Sequence, residues 1–128
     1  HLAWIASVAG HRGLPKAAAY GPPKAALINL AESLAPELGQ RGISVSVVNP
    51  GFVETPLTAQ NDFPMPFLMQ APEAARRTIE GLAGKQFETA YPWRFVAIMK
   101  LARLLPYWLY FWLVRKSVIR SQPDHPKS

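Results

Sequence analysis

The chain has 128 residues, 49% of them hydrophobic, and no cysteine. That composition fits one globular domain and excludes a disordered chain, a disulfide framework and a thiolate metal site. The formal net charge is +6, but residues 1–92 carry seven basic and seven acidic side chains, while residues 93–128 carry seven basic ones against Asp124 alone. Basic charge confined to an apolar, aromatic stretch, with no binding motif beside it, speaks against a nucleic-acid partner. His1 in place of methionine, followed at once by strand-like residues, suggests a piece of a longer protein. The lack of cysteine fits a reducing compartment, so the expected location is the cytoplasm.

Leu2-Ala3-Trp4-Ile5-Ala6 is apolar without alternation, the pattern of a strand covered on both faces of a parallel sheet. Ser7 ends it, and Gly10, Gly13 and Pro15 mark a loop. Pro22 and Pro23 are tolerated only in the first turn of a helix, so a helix is predicted to start near Ala17–Tyr20. Leu27, Leu30, Ala31, Leu34 and Leu38 form its apolar stripe. Pro36 kinks or tightens its last turn, and Gly39 and Gly42 stop it. The β-branched run Ile43–Val48 reads as a second strand.

Strand, helix, strand with short connections is a βαβ unit, which implies a parallel sheet and a right-handed crossover. Ligands of such sheets bind beyond the carboxyl ends of the strands. Ser7, Tyr20, Lys24 and the loop Pro50–Thr55 are therefore expected on one edge. Residues 52–71 read as a loop interrupted by Pro56, Pro64 and Pro66. Phe52, Leu57, Phe63, Met65, Phe67, Leu68 and Met69 make it apolar, as a lid over a ligand or a loop packed on its own core. Ala71-Pro72-Glu73 opens a helix to about Leu82, and Phe87–Tyr91 suits a short strand.

The tail, Trp93–Arg120, reads as a helix over Phe95–Leu105, broken or kinked by Pro106. Its apolar core, Leu104–Val114, has eleven residues, against roughly 20 for a bilayer span. It reads either as an amphipathic, interfacial segment or as a helix covering a substrate pocket or an oligomer interface.

Tyr20 and Lys24 lie four residues apart, one helical turn, and so project from one face. A free phenol has a pKa of about 10, and a fixed cation favours its ionised form, which suits it to acid/base work near neutral pH. Ser7, thirteen residues before Tyr20, could donate a hydrogen bond to an oxygen on which charge develops. The bland alternative is an ordinary surface pair on a helix and a serine at a strand end.

The set Ser7, Tyr20-x-x-x-Lys24 and Pro50-Gly51-Phe52-Val53-Glu54-Thr55 resembles the short-chain dehydrogenase/reductase family. Order and spacing match from Ser7 to about Leu57. The resemblance implies hydride transfer between a nicotinamide, NAD or NADP, and a carbonyl or alcohol carbon, here of a lipophilic small molecule. Tyr20 would be the general acid/base, Lys24 would assist it and bind the nicotinamide ribose, and Ser7 would orient the substrate oxygen. Pro50, Gly51, Val53 and Thr55 would line the nicotinamide side, and the parent would be a homo-oligomer. The family's glycine-rich pyrophosphate loop and the asparagine of its catalytic tetrad have no counterpart in this sequence.

The expected fold is thus α/β: the C-terminal half of a doubly wound, Rossmann-like parallel-sheet domain over residues 1–92, a helical aromatic tail over 93–120 and a disordered end over 121–128. The expected function is that of an NAD(P)-dependent oxidoreductase. The alternative is a membrane-associated or interaction module dominated by the tail.

Overall fold

The computed structural model describes residues 1–56, 58–60 and 65–121. Leu57, Phe63 and the end of the chain beyond Ser121 lie outside the described residues. In chain order the elements are β1 (Leu2–Ile5), a 3-10 turn (Val8–Gly10), α1 (Gly21–Gly39), β2 (Val45–Pro50), β3 (Val53–Glu54), a second 3-10 turn (Thr58–Gln60), β4 (Met69–Gln70), α2 (Ala71–Ala83), β5 (Glu88–Tyr91), α3 (Trp93–Leu104) and α4 (Tyr107–Ser121).

The main sheet has the order β1-β2-β5, and both pairings are parallel. Trp4 lies beside Val47, and Val48 beside Thr89. Successive residues of a strand point to opposite faces, and β2 uses both. Val45 and Val47 join Ala6 and, from α1, Ile28 and Ala31 in one core. Val48 joins Ala74 of α2 and Tyr91 in another. Helices α1 and α2 therefore cover opposite faces, the doubly wound arrangement expected. A third core, Val8 with Phe95 and Met99, ties α3 to the turn after β1.

Several expectations need correction. β1 is not covered on both faces: Leu2 is 45% and Ile5 53% exposed. It is the edge strand of the sheet that these residues form. The start of helix α1 at Gly21, with Tyr20 as its N-cap, is the one the two prolines imply, and Ala17–Tyr20 form turns bonded back to the Ala17 carbonyl. The buried stripe of α1 runs through Ile28, Ala31, Ala35 and Leu38, with Leu27 at its side, and Leu30 faces outward. Gly10 sets this rotation. A Cβ there would lie 2.8 Å from Ile28 Cδ1 and 3.0 Å from the Ala25 nitrogen, so only glycine lets the 3-10 turn sit on this part of the helix.

Helix α1 runs on past Pro36 to Gly39, the expected stop. Pro36 sits on the exposed side with Glu32, where water can serve the carbonyl it leaves unpaired. Residues 52–71 are not all loop, since β3 and β4 pair in parallel, Val53 with Met69 and Glu54 with Gln70. Pro106 separates two helices rather than kinking one. Leu105 before it is extended, with φ −72° and ψ 139°, because proline disfavours the helical conformation in its predecessor.

A buried polar cluster joins these layers. Asn49, fully buried, donates from Nδ2 to Glu88 Oε2 at 3.0 Å. Lys100 of α3 bonds the other oxygen of Glu88. His11, 6% exposed, brings Nε2 to 3.7 Å from Glu88 Oε2, too far for a hydrogen bond. Burial lowers the His11 pKa below 6.5, against the opposing pull of Glu88. The imidazole is thus held neutral beside a carboxylate already committed to two other partners.

Two predictions follow from this packing. A Cβ on Gly81 would lie 2.0 Å from Thr89 Oγ1 and 2.8 Å from Thr89 Cβ, whereas one on Gly39 would meet nothing within 4 Å. Gly81→Ala is expected to cost about 1–3 kcal/mol in urea unfolding, and Gly39→Ala to be neutral or stabilising. A depressed His11 pKa means that the unfolded chain binds the proton more readily. Stability from this group is present above about pH 6.5 and lost as pH falls through the folded value. His11→Gln should flatten that part of the pH dependence of the urea midpoint.

Candidate active site

The carboxyl ends of β1, β2 and β5 are laced together. Ser7 follows β1, is 6% exposed, and donates from Oγ to the Pro50 carbonyl at 3.4 Å while accepting from the Ala9 amide at 3.2 Å. The Gly51 amide donates to the Tyr91 carbonyl at 2.8 Å. The first contact is long for a hydroxyl donor, so the Ser7 proton is only weakly committed and free to turn toward a better acceptor.

Tyr20 stands at the mouth of α1. Its side chain is 55% exposed and its hydroxyl bonds to no described residue. Lys24 Nζ lies 5.5 Å from the centre of the Tyr20 ring and 3.5 Å from the Ile5 carbonyl. One helical turn therefore brings the cation over the phenol, and the β1 carbonyl tethers it. Ser7, Lys24 and Pro50 thus meet at the carboxyl ends of β1 and β2, with Tyr20 beside Lys24.

The loop after β2 is built on its own hydroxyls. Thr58 Oγ1 donates to the Val53 carbonyl at 2.7 Å and accepts from the Thr55 amide at 2.8 Å. Thr55 Oγ1 accepts from the Thr58 amide at 3.2 Å. Behind the loop is an aromatic wall. Phe52 stacks on Phe95 of α3 at 5.6 Å, and Phe67 tilts against the same ring at 6.3 Å. A Cβ on Gly51 would lie 2.8 Å from Phe95 Cδ1, so this glycine allows α3 to close on the strand end. Thr58 and Phe95 carry no motif in the sequence. Their spacing to the site residues becomes meaningful only once β2 and β5 pair.

Neither flanking helix offers a phosphate cradle at its start. Helix α1 opens Gly21-Pro22-Pro23, where proline removes backbone donors, and α2 opens Ala71-Pro72-Glu73 with an acid in its first turn. The residues present fit the nicotinamide end of a dinucleotide, with a cation, two hydroxyls and a close backbone. They do not fit its pyrophosphate. Two concavities lie apart from this edge, one of about 480 Å³ between α2, β5 and α3 and one of about 530 Å³ between α1 and Arg103 of α3. Among the described residues no cluster of His, Asp or Glu could hold a metal ion.

Comparison with known proteins bears on the family and the fold. The family model described as short chain dehydrogenase matches residues 1–64. An uncharacterized oxidoreductase of Myxococcus xanthus is 41% identical over 106 residues, covering 83% of this chain and 42% of its own length. An uncharacterized oxidoreductase of Mycobacterium tuberculosis is 36% identical over 109 residues, with the same coverages of 83% and 42%. The structure of a short-chain dehydrogenase from Sphingobium yanoikuyae in complex with NADPH superposes with a TM-score of 0.63 at 21% identity, covering 98% of this chain and 47% of that one. The chain thus spans under half the length of these relatives. The family model matches half of the residues, and a relative 41% identical covers 83% of the chain: the chain belongs to the short-chain dehydrogenase family.

Proposed function

We propose that this chain supplies the proton-transfer half of an NAD(P)-dependent oxidoreductase site acting on a carbonyl or alcohol. The observation that carries the reading is the Tyr20–Lys24 pair at the carboxyl ends of parallel strands, with Ser7 buried beside the end of β2. NAD or NADP, when bound, supplies or accepts the hydride.

In the reducing direction, the Tyr20 hydroxyl gives its proton to the substrate oxygen as the carbon receives the hydride. In the oxidising direction Tyr20 takes the proton back. Ser7 turns its hydroxyl from the Pro50 carbonyl to the same oxygen, stabilising the charge that develops there. Lys24 keeps a positive charge beside the phenol and offers ammonium protons to the ribose of the nucleotide. The backbone of Pro50, Gly51 and Val53 and the hydroxyl of Thr55 would hold the nicotinamide end of the cofactor. Thr58 holds that loop in shape through its bonds to Val53 and Thr55. The wall of Phe52, Phe67 and Phe95 excludes water behind it and suits a lipophilic substrate.

The prolines and Glu73 at the starts of α1 and α2 require that the pyrophosphate be held by residues other than these. Activity therefore belongs to the full-length protein that carries this chain. In that protein Tyr20→Phe is expected to lower turnover by about 10²–10⁴ with NADH or NADPH, leaving the urea midpoint unchanged because the ring is exposed. Near-normal turnover in this variant would sink the assignment. Lys24→Met should also lower turnover, with its main effect on kcat rather than on stability.

A further inference from the structure

We propose that α3 and α4 form an interfacial surface that docks on an anionic lipid bilayer, independently of the reaction assigned above. The two helices have one covered side and one open side. On the covered side Phe95 and Met99 pack against Val8, and Tyr110 is 7% exposed, with its hydroxyl bonded to the Gly13 carbonyl. Arg12 fixes the corner between them. Its guanidinium lies 4.2 Å from the Tyr110 ring and 5.3 Å from the Tyr107 ring and donates to the Arg103 carbonyl at 3.2 Å.

The open side carries Ile98, Leu101 and Leu104 on α3, at the spacing of one helix face, and Trp108, Phe111 and Trp112 on α4, again on one face. Leu104 is 80% and Trp108 73% exposed, and a run of this kind marks an interaction site rather than scattered surface residues. The chemistry around it selects the partner. From Trp93 to Ser121 there is no Asp or Glu, and helical spacing puts Arg94 on the face of Ile98 and Leu101, and Arg115 and Lys116 on that of Trp108 and Trp112. Lys116 Nζ sits 4.0 Å from the Trp112 ring, the arrangement in which an aromatic lies at headgroup depth and a cation meets phosphate.

A second copy would bring these cations against their own kind, whereas an anionic bilayer complements them. Spanning is excluded for these helices. The 15 residues of α4 measure roughly 22 Å against a hydrocarbon core of about 30 Å, and no described helix is long and apolar enough to cross a membrane. The helices would lie on the bilayer surface, with their covered side on the protein and their open side on lipid. Because Arg12 and Tyr110 tie α4 to the loop between Ser7 and Tyr20, docking would seat the reacting edge beside the lipid.

The test is flotation of the full-length protein with vesicles of phosphatidylcholine alone and of a mixture rich in phosphatidylglycerol. Binding to the anionic vesicles is expected, several-fold weaker on neutral vesicles and at high salt. The double variant Trp108→Ser/Trp112→Ser and the charge variant Arg115→Glu/Lys116→Glu should each reduce it by about fivefold or more, with circular dichroism unchanged. Failure to float on anionic vesicles would overturn the proposal, as would flotation indifferent to both variants. So would an oligomer, measured without lipid, that falls apart in the tryptophan variant, which would assign the surface to a second copy. Tyr20→Phe should float like the unaltered protein, so the catalytic reading and the docking surface fail separately.

Discussion

Every feature of the candidate site edge depends on β2, the central strand, and on the parallel hydrogen bonding that it makes on both sides. Its side chains are divided between two cores, Val45 and Val47 under α1 and Val48 under α2. Val47 and Val48 are fully buried, and burial of each contributes about 1.5–3 kcal/mol. Because β1 and β5 are both registered on this strand, their ends arrive at the same level. That is why Ser7 reaches Pro50, and why Gly51 reaches Tyr91.

Small residues decide how closely the helices approach this sheet. Gly10 lets the turn after β1 lie on α1, Gly51 admits Phe95 at the end of β2, and Gly81 lets α2 rest on Thr89. Each is a place where backbone approach, rather than conformational freedom, makes a side chain intolerable. The result is that α1 holds Tyr20 and Lys24 at the edge while α3 closes it from behind. The polar cluster of His11, Asn49, Glu88 and Lys100 spans the same layers, so the turn after Ser7, β2 and α3 share one polar cluster, buried at His11 and Asn49 and open to solvent at Lys100.

The two helices of the tail illustrate how one segment can serve two solvents. Phe95, Met99 and Tyr110 are spent on the protein interior. The aromatic and aliphatic residues on the opposite sides are not, and the cations beside them have no carboxylate in the same segment to neutralise them. Arg12 couples that segment to the site loop through two rings and a carbonyl.

Read by itself, the sequence determined the class of the fold and the family. An apolar run, a proline-started helix and a β-branched run in close succession leave little besides a βαβ unit, and such a unit sends Ser7, Tyr20 and Lys24 to one edge. Their spacing and the Pro50–Thr55 loop carried the family. What the sequence did not contain was the rotation of α1, the pairing of β3 with β4, and the aromatic wall on Gly51. Leu30 and Ile28 are equally apolar, and only the seat provided by Gly10 chooses between them. Phe95 lies 43 residues beyond Phe52, and Glu88 lies 77 beyond His11. Contacts over such separations leave no local periodicity, so they were decided only when β5 took its place beside β2.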